Sequence, residues 1–350
     1  ATGNNQLAIG SGTNRWIIGD SSYNVCLAGS TIKAMAQGGV FCATTFSGSG
    51  ASLTSIPAGQ LTGTLPAIDG SNLTGINAGF DPDADHNLIA GICAGGTYDP
   101  SSGSSCFNIL LGTCAGKSIA GGDDNIFVGL YAGTSNTTGC YNIFFGKHAG
   151  FCNVGASDNV AIGRFAGCVN TTGACNVYLG YKAGLKGNRN NSIFIGRYAG
   201  MGNCNGADGA NNIALGSDAG RSITCGSYNV YIGQEAGKTG TTAHTNIAIG
   251  KGAARDATGF KNVVLGDSAG RDLTGYANVV IGQNTGVFST DANCNVFLGA
   301  YSAQCTSGND NVILGSQAGR YATTGCYNVF FGKCTAAGAA SNNVTGNHNI

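Results

Sequence analysis

The sequence predicts an all-β protein that folds as a parallel β-solenoid, and three observations support this class. A nine-residue phrase recurs along the chain, most clearly at residues 125–133 (NIFVGLYAG). The phrase has fifteen copies about 17 residues apart, and a fixed short period is typical of a solenoid. Glycine makes up 61 of 350 residues, yet the glycines do not recur at every third position, which excludes collagen.

Positions within the phrase are numbered from its first glycine, which is position 0. Position −4 is Asn, −3 is Ile or Val, −1 is a large apolar residue, and Ala and Gly usually occupy +3 and +4. Position 0 falls at Gly91, Gly112, Gly129, Gly146, Gly163, Gly180, Gly196, Gly216, Gly233, Gly250, Gly266, Gly282, Gly299, Gly315 and Gly332.

The chain divides by pattern into three parts. Residues 1–43 carry weaker versions of the phrase and predict a short β-repeat segment. Residues 44–79 space single apolar residues with Gly, Ser and Thr, which predicts an extended connector that needs partner chains to become ordered. Residues 80–350 predict the solenoid. Asn349-Ile350 restarts the phrase, so we expect the solenoid to continue into a longer protein.

Both faces of each strand are apolar. Positions −3 and −1 share a face, because alternate residues of a strand point the same way, and we expect that face to form the core of each coil. Position −2 points to the opposite side and is also apolar, as in Phe127, Tyr178 and Val264. One thin coil cannot cover both faces, so we expect another chain to cover position −2.

Position −4 predicts a ladder that ties coil to coil. Stacked coils place equivalent residues about 4.8 Å apart, within hydrogen-bonding reach of side-chain amides. Gly at 0 and +4 permits turn conformations that other residues disfavour, and Ala at +3 leaves room for close packing. The ladder residues are Asn108, Asn125, Asn142, Asn159, Asn176, Asn212, Asn229 and Asn246.

No pattern in the sequence indicates catalysis or a cofactor, and we expect neither. Lys117-Ser118 and Lys238-Thr239 follow a glycine as in a phosphate-binding loop, but the earlier glycine that this loop needs is absent. The repeat region has no cluster of carboxylates of the kind that cleaves glycans. The formal net charge is zero and no apolar run reaches membrane length, so we expect neither nucleic-acid binding nor membrane insertion.

The fifteen cysteines lie mostly in predicted turns. No C-x-x-C pair indicates a metal centre. Stacking brings some cysteines of adjacent coils within the Cα distance of a disulfide, and the alternative is that they are small buried apolar residues. The candidates for disulfides between coils are Cys93, Cys114, Cys152, Cys168, Cys204 and Cys225.

Two charged features have a functional and a simpler interpretation. Asp81, Asp83 and Asp85 resemble the start of a Ca²⁺ loop, but the glycine and glutamate of that loop are missing, which favours a solvated acidic linker. Position +5 is often basic, and stacking would form a stripe that either faces solvent or contacts an anionic glycan. The basic residues at +5 are Lys117, Arg221, Lys238, Arg255, Arg271 and Arg320.

Two stretches resemble known fibrous proteins. The connector, FSGSGASLTSIPAGQLTGTLPAIDGSNLTGI, resembles connectors in tail fibres of tailed phages, including phages of cyanobacteria. Phrases such as Asn159-Val160-Ala161-Ile162-Gly163 are similar to the repeat in YadA-like heads of trimeric autotransporter adhesins, whose period is nearer 14 residues. The turn segments 131–139 and 165–173 (YAGTSNTTG and FAGCVNTTG) resemble phage-fibre repeats more closely.

These resemblances imply a left-handed β-roll in a homotrimer whose chains are intertwined or side by side. Fifteen coils at the strand spacing would be about 70 Å long. The resemblances also imply the shaft of a phage tail fibre that supports attachment to a host receptor or glycan through another part of the chain. Its partners would be two further copies and other virion or fibre proteins, in an extracellular location. The alternative is a bacterial cell-surface trimeric adhesin or an extracellular filament subunit.

Overall fold

The computed structural model describes residues 82–96, 105–202, 209–240, 242–322, 324–338 and 345–350, together with the backbone of three short strands near the N-terminus. The chain divides into two compact units, residues 1–73 and 74–350. The described residues contain strands and turns but no helix. The connector predicted for residues 44–79 lies outside the described residues.

Three strands are described in the first unit, and all of them lie in residues 1–43, which carry the weaker versions of the phrase. They are β1 (Ala8–Ser11), β2 (Asn14–Gly19) and β3 (Val25–Leu27). The sheet order is β1-β2-β3 and both pairings are antiparallel. This segment therefore pairs as a meander, unlike the parallel coils of the second unit.

The second unit is a parallel β-solenoid, as the repeat predicts. Each strand pairs with the strand before it and the strand after it, and equivalent residues lie opposite each other: Ile126, for example, pairs with Ile109 and Ile143. The strands are β4 (Leu88–Ala90), β5 (Ile109–Leu111), β6 (Ile126–Val128), β7 (Ile143–Phe145), β8 (Val160–Ile162), β9 (Val177–Leu179), β10 (Ile193–Ile195), β11 (Ile213–Leu215), β12 (Val230–Ile232), β13 (Ile247–Ile249), β14 (Val263–Leu265), β15 (Val279–Ile281), β16 (Val296–Leu298), β17 (Val312–Leu314) and β18 (Val329–Phe331).

The core of the solenoid is built on position −2, and the face assignment made from the sequence is wrong. Phe127, Tyr178 and Val264, all at −2, are fully or almost fully buried, as are the alanines at +3 such as Ala132. Positions −3 and −1 are half-buried or exposed along the sheet; Phe145, for example, is 53% exposed. Both faces are apolar, as expected, but position −2 lies on the inner face and positions −3 and −1 lie on the outer face, which is the reverse of the expectation.

The asparagine at −4 explains this exchange. Positions −4 and −2 are two residues apart and therefore point the same way. Asn125 and Phe127 are both completely buried inside the coil. The chain then turns back over this side: a Cβ on Gly133, at +4, would lie 2.6 Å from the Phe127 ring. The buried amide at −4 thus determines which face of the strand points into the coil, and the side chain at −2 points inward with it.

Turns on both sides of each strand use left-handed backbone conformations. Gly129, at position 0, has φ of 132°, and a Cβ there would lie 2.8 Å from the backbone of Gly146 in the next coil. Non-glycine residues also adopt positive φ at −5 and +2, as in Asp124 (56°) and Tyr131 (58°). The Tyr131 N–H donates to the Thr113 carbonyl (2.9 Å), so the ladder between coils continues through the turn.

Candidate functional site

The asparagines at −4 form a continuous buried ladder. The Asn125 side-chain Nδ2 donates to Asn108 Oδ1 (3.0 Å) in the preceding coil and to the Gly139 carbonyl (2.9 Å) in the next coil. Asn125 Oδ1 accepts from the backbone N–H and the Nδ2 of Asn142 (3.0 and 3.2 Å). The structure places all eight predicted ladder residues at buried positions of this kind. The amide of Asn125 therefore joins three successive coils.

Ser192 takes the place of asparagine in one coil. Its backbone N–H donates to Asn176 Oδ1 (2.9 Å), and its Oγ accepts from the Asn212 backbone N–H (3.3 Å). The hydroxyl preserves the backbone contacts of the ladder, but it cannot reach a carbonyl in the next coil as an amide does. The ladder is continuous but weaker at β10.

A second ladder, which the sequence analysis missed, runs along position −6. The Cys106 N–H donates to Asp123 Oδ1 (2.8 Å), and the Cys140 N–H donates to Ser157 Oγ (3.0 Å). Farther along, the Asn293 N–H donates to Asn309 Oδ1 (2.9 Å). The acceptor is a side chain of the next coil each time. The preference for small polar residues at −6 is the signal that could have revealed this ladder.

We expect Asn159→Ala to lower the free energy of unfolding by about 3 kcal/mol, because each buried group left unpaired costs on the order of 1–3 kcal/mol. The change would leave the Asn176 N–H and Nδ2 without their Asn159 Oδ1 acceptor, and the Gly173 carbonyl would keep only one of its two side-chain donors, the Asn170 Nδ2. Thermal and denaturant unfolding would measure the effect.

Asn159→Ser is the matched control, since serine occupies this position at Ser192. Asn159→Ser should lower the free energy of unfolding clearly less than Asn159→Ala does, because the serine hydroxyl can still accept a hydrogen bond from the next coil. Equal losses for alanine and serine would contradict a role for the amide in joining the coils.

The described cysteines all have free thiols. Cys93 and Cys114 lie in adjacent turns at +2, and the Cys152 N–H donates to the Cys168 carbonyl (2.8 Å). Burial raises the pKa of the Cys168 thiol to about 11, with a further contribution from Cys152. The Cys152–Cys168 pair thus lies at adjacent coils as the spacing predicts. Cys225 is exposed, and Cys204, which the spacing places in the adjacent turn, lies outside the described residues.

The acidic loop before β4 is a turn that begins the first coil. The Asp83 carboxylate Oδ1 accepts from the backbone N–H groups of Asp85 (3.0 Å) and Asn87 (2.8 Å). Asp81 lies outside the described residues. Within the described part of the chain, no group of three or more His, Cys, Asp or Glu side chains is arranged to hold a metal ion.

The basic residues at +5 mostly pair with neighbouring carboxylates. Arg221 bonds Asp218 (3.0 Å), Lys238 bonds Glu235 (2.9 Å) and Arg271 bonds Asp272 (3.0 Å). These contacts neutralise much of the stripe that the sequence suggested.

A different basic stripe occupies four consecutive coils at the turn that follows the strand. We call Lys147, Arg164, Lys182 and Arg197 the basic stripe; each is adjacent in sequence to an aromatic ring. The rings, which we call the ring column, are His148, Phe165, Tyr181 and Tyr198. The repeated basic–aromatic dipeptide at +1 and +2 is the signal that could have identified the stripe from the sequence.

The outer face of the 15-stranded sheet is a second extended surface. Positions −3 and −1 form two apolar rows along the whole sheet, and we call this surface the apolar face. At the strand spacing it is about 70 Å long and covers on the order of 500 Å². Contiguous apolar patches of this size often mark interaction surfaces.

No protein-family model matches the chain, and searches among curated proteins and solved structures found no match. The described residues include no helix that is long and apolar enough to cross a bilayer.

Proposed function

We propose that this chain is the shaft of an extracellular adhesive fibre, in which the coils provide a rigid rod and three copies associate through the apolar face. The observation that carries the proposal is that face: two rows of Ile, Val, Leu and Phe, with Ala90 of β4 as the exception, outside an already complete core. The three faces of a trimer would meet around one axis and together provide on the order of 1,500 Å² of apolar surface.

The homotrimer and the left-handed coil rest on the resemblance to YadA-like heads and phage fibres. Rotational symmetry suits this surface, because every coil presents the same residue types to its neighbours. Within this proposal the repeat has a mechanical and non-enzymatic role, and attachment to a host receptor uses another part of the chain. The particular function we propose is a phage tail-fibre shaft.

The assembly should have a native mass of three times the 34.9 kDa chain. Replacing Ile247 and Ile249, each 40% exposed on the apolar face, with lysine should dissociate it, because buried unpaired charges are costly. Light scattering coupled to size-exclusion chromatography measures the native mass of the wild type and of the lysine variant. Lysines at the exposed turn residues Thr138 and Thr258 are the matched control and should leave the mass unchanged.

Each other outcome of this experiment has a definite meaning. A folded wild-type monomer would overturn the assembly proposal, and a dimer would overturn the trimer alone. A trimer that persists after both isoleucines become lysines would exclude the apolar face as the interface.

A bacterial surface adhesin or filament subunit is the alternative, and it shares the same shaft. Antibodies against residues 125–202 distinguish the two in electron micrographs. Labelled fibres on purified phage particles support the tail-fibre proposal. Labelling confined to the bacterial surface or to free filaments would replace it with the alternative.

A further inference from the structure

The charge of the chain is unevenly distributed along the solenoid. The whole sequence has a formal net charge of zero, but residues 125–202 contain six Lys and Arg against a single Asp. That residue, Asp158, precedes β8 (Val160–Ile162), whereas the basic stripe follows the strands, so the carboxylate lies on the other side of the strand from Arg164. The turns after β7, β8 and β9 therefore concentrate positive charge without a carboxylate partner among the described residues, whereas Arg197, in the turn after β10, lies 3.5 Å from Asp218.

The stacking of the coils places these four cations at two adjacent positions of the same turn. Lys147, Arg164 and Arg197 occupy position +1 of their coils, and Lys182 occupies +2. The strands in these coils are in register, so equivalent positions repeat at the strand spacing of about 4.8 Å. The basic stripe thus forms a column about 15 Å long that is parallel to the solenoid axis.

The ring column holds the cations in place. The Arg164 guanidinium carbon lies 4.5 Å from the centre of the Tyr181 ring and 5.8 Å from that of Phe165. Lys182 Nζ lies between the rings of Tyr181 (5.2 Å) and Tyr198 (5.7 Å). Arg197 stacks on Tyr198 at 4.9 Å. Cation–π contacts restrict these long side chains, which lowers the entropy lost on binding.

The cations of the stripe contribute to the pKa of two of the rings. A hydrogen bond from Lys182, assisted by the charges of Lys182 and Arg164, lowers the pKa of the Tyr181 hydroxyl. Burial, together with the charge of Lys147, lowers the pKa of His148.

Most of the stripe lacks carboxylate partners. Arg197 approaches Asp218 at 3.5 Å, but Lys147, Arg164 and Lys182 form no ion pair with any described residue. Toward the C-terminal end, by contrast, Arg255 pairs with both Asp256 and Glu235. The stripe is therefore the segment where a polyanion can replace water without competing with a protein carboxylate.

We propose that the basic stripe binds a linear acidic polysaccharide with one carboxylate or sulfate on each sugar, lying along the solenoid axis. The acid groups of such a chain complement the cations of the stripe, and a linear chain can follow the stripe along the solenoid axis. The inference stands apart from the assembly through the apolar face, because the stripe belongs to the turns of one chain.

Two other polyanions fit this geometry less well. In an extended acidic peptide, side chains on one face recur at about 6.6 Å, and stacked nucleotides recur at about 3.4 Å along one strand. Single-stranded nucleic acids also need open ring faces for base stacking. Here Tyr181 and Tyr198 are occupied by cations and pack edge-to-face against each other with ring centres 5.3 Å apart.

The test uses the full chain immobilised on a biosensor, with polygalacturonate as the acidic polysaccharide and dextran as the neutral one. We expect binding of polygalacturonate only, with affinity that falls as salt is raised, as for other contacts between cations and polyanions. Changing Arg164, Lys182 and Arg197 together to glutamine should weaken binding by on the order of tenfold or more.

The matched control removes three exposed charges elsewhere, through Lys251→Gln, Lys261→Gln and Lys333→Gln. It should bind as the wild type does, and so should a variant that keeps the charge through Arg164→Lys and Arg197→Lys. Circular dichroism verifies that every variant is folded. An equal loss in the control and the stripe variant, or equal binding of dextran, would overturn the proposal.

Oligothymidylate and polyglutamate test the class of partner. If either bound the stripe more tightly than polygalacturonate, the assignment to a polysaccharide would be wrong. A chain that stays monomeric and still binds through the stripe would support this inference while contradicting the trimer, so the two proposals can fail separately.

Discussion

Phe144→Ala should destabilise the solenoid by about 3–5 kcal/mol, the usual cost of removing a fully buried aromatic side chain. Phe144 is 1% exposed, and its ring neighbours the Phe127 ring of the preceding coil, with centres 4.9 Å apart and planes 7° from parallel. A Cβ on Gly150 would lie 2.4 Å from this ring, which shows how closely the turn packs on it. Truncation therefore leaves a cavity that spans two coils. Chemical denaturation measures the loss.

The adjacent residue, Phe145, provides the control. It belongs to the same strand but lies on the apolar face, 53% exposed in the single chain. Phe145→Ala should act through association, so its effect on melting should depend on protein concentration, whereas that of Phe144→Ala should not. If Phe145→Ala were the more destabilising change in a monomeric chain, the inner and outer faces described above would be wrong.

This pair of residues also shows how far the sequence could predict the structure. The period of the phrase was sufficient to predict a parallel solenoid, because only in-register stacking repeats one residue type at a fixed interval. The face could not be read from hydrophobicity, because Phe144 and Phe145 are the same residue. The position of Asn142 determines which of the two rings is buried. Asn142 and Phe144 are two residues apart, so Phe144 must point inward once the Asn142 amide lies inside the coil.

The candidate surfaces were less predictable than the fold. The ladder at −4 is visible in the sequence because asparagine dominates that position. The ladder at −6 is hidden, because Asp123, Ser157 and Asn309 provide the same acceptor from different residue types. The basic stripe is less regular in the sequence, because three of its cations are at +1 and Lys182 is at +2, with the ring of Tyr181 taking the +1 position in that coil.

The interior of the solenoid also contains one residue that breaks the repeat. Arg189 lies seven residues before Gly196, at a position that is glycine or alanine in the coils beside it, as in Gly173 and Gly209. Its side chain is completely buried. The guanidinium lies against the turn of the next coil, where a Cβ on Gly202 would lie 2.5 Å from Arg189 NH2.

Arg189→Ala should be at least as costly as Phe144→Ala, at about 3–5 kcal/mol, because it removes interior volume and leaves buried carbonyl groups unpaired. The guanidinium NH1 donates to the carbonyls of Lys186 (2.6 Å) and Gly200 (3.2 Å), and NH2 donates to that of Ile223 (2.7 Å). Because the three carbonyls belong to three successive coils, the loss of stability should appear in all three coils. Hydrogen exchange across residues 180–232 would locate it.

Two variants separate the role of the guanidinium from that of charge or volume alone. Arg189→Met keeps much of the volume but offers no hydrogen-bond donors, so it should remain strongly destabilising. Lys186→Gln, on the exposed side of the same turn, should change the free energy of unfolding by no more than about 0.5 kcal/mol. Because a solenoid is stabilised by contacts between neighbouring coils, opening should be confined to the coils around β10 and leave distant coils protected. If Arg189→Met were as stable as the wild type, the carbonyl contacts would contribute little, and Arg189 would act there by filling space.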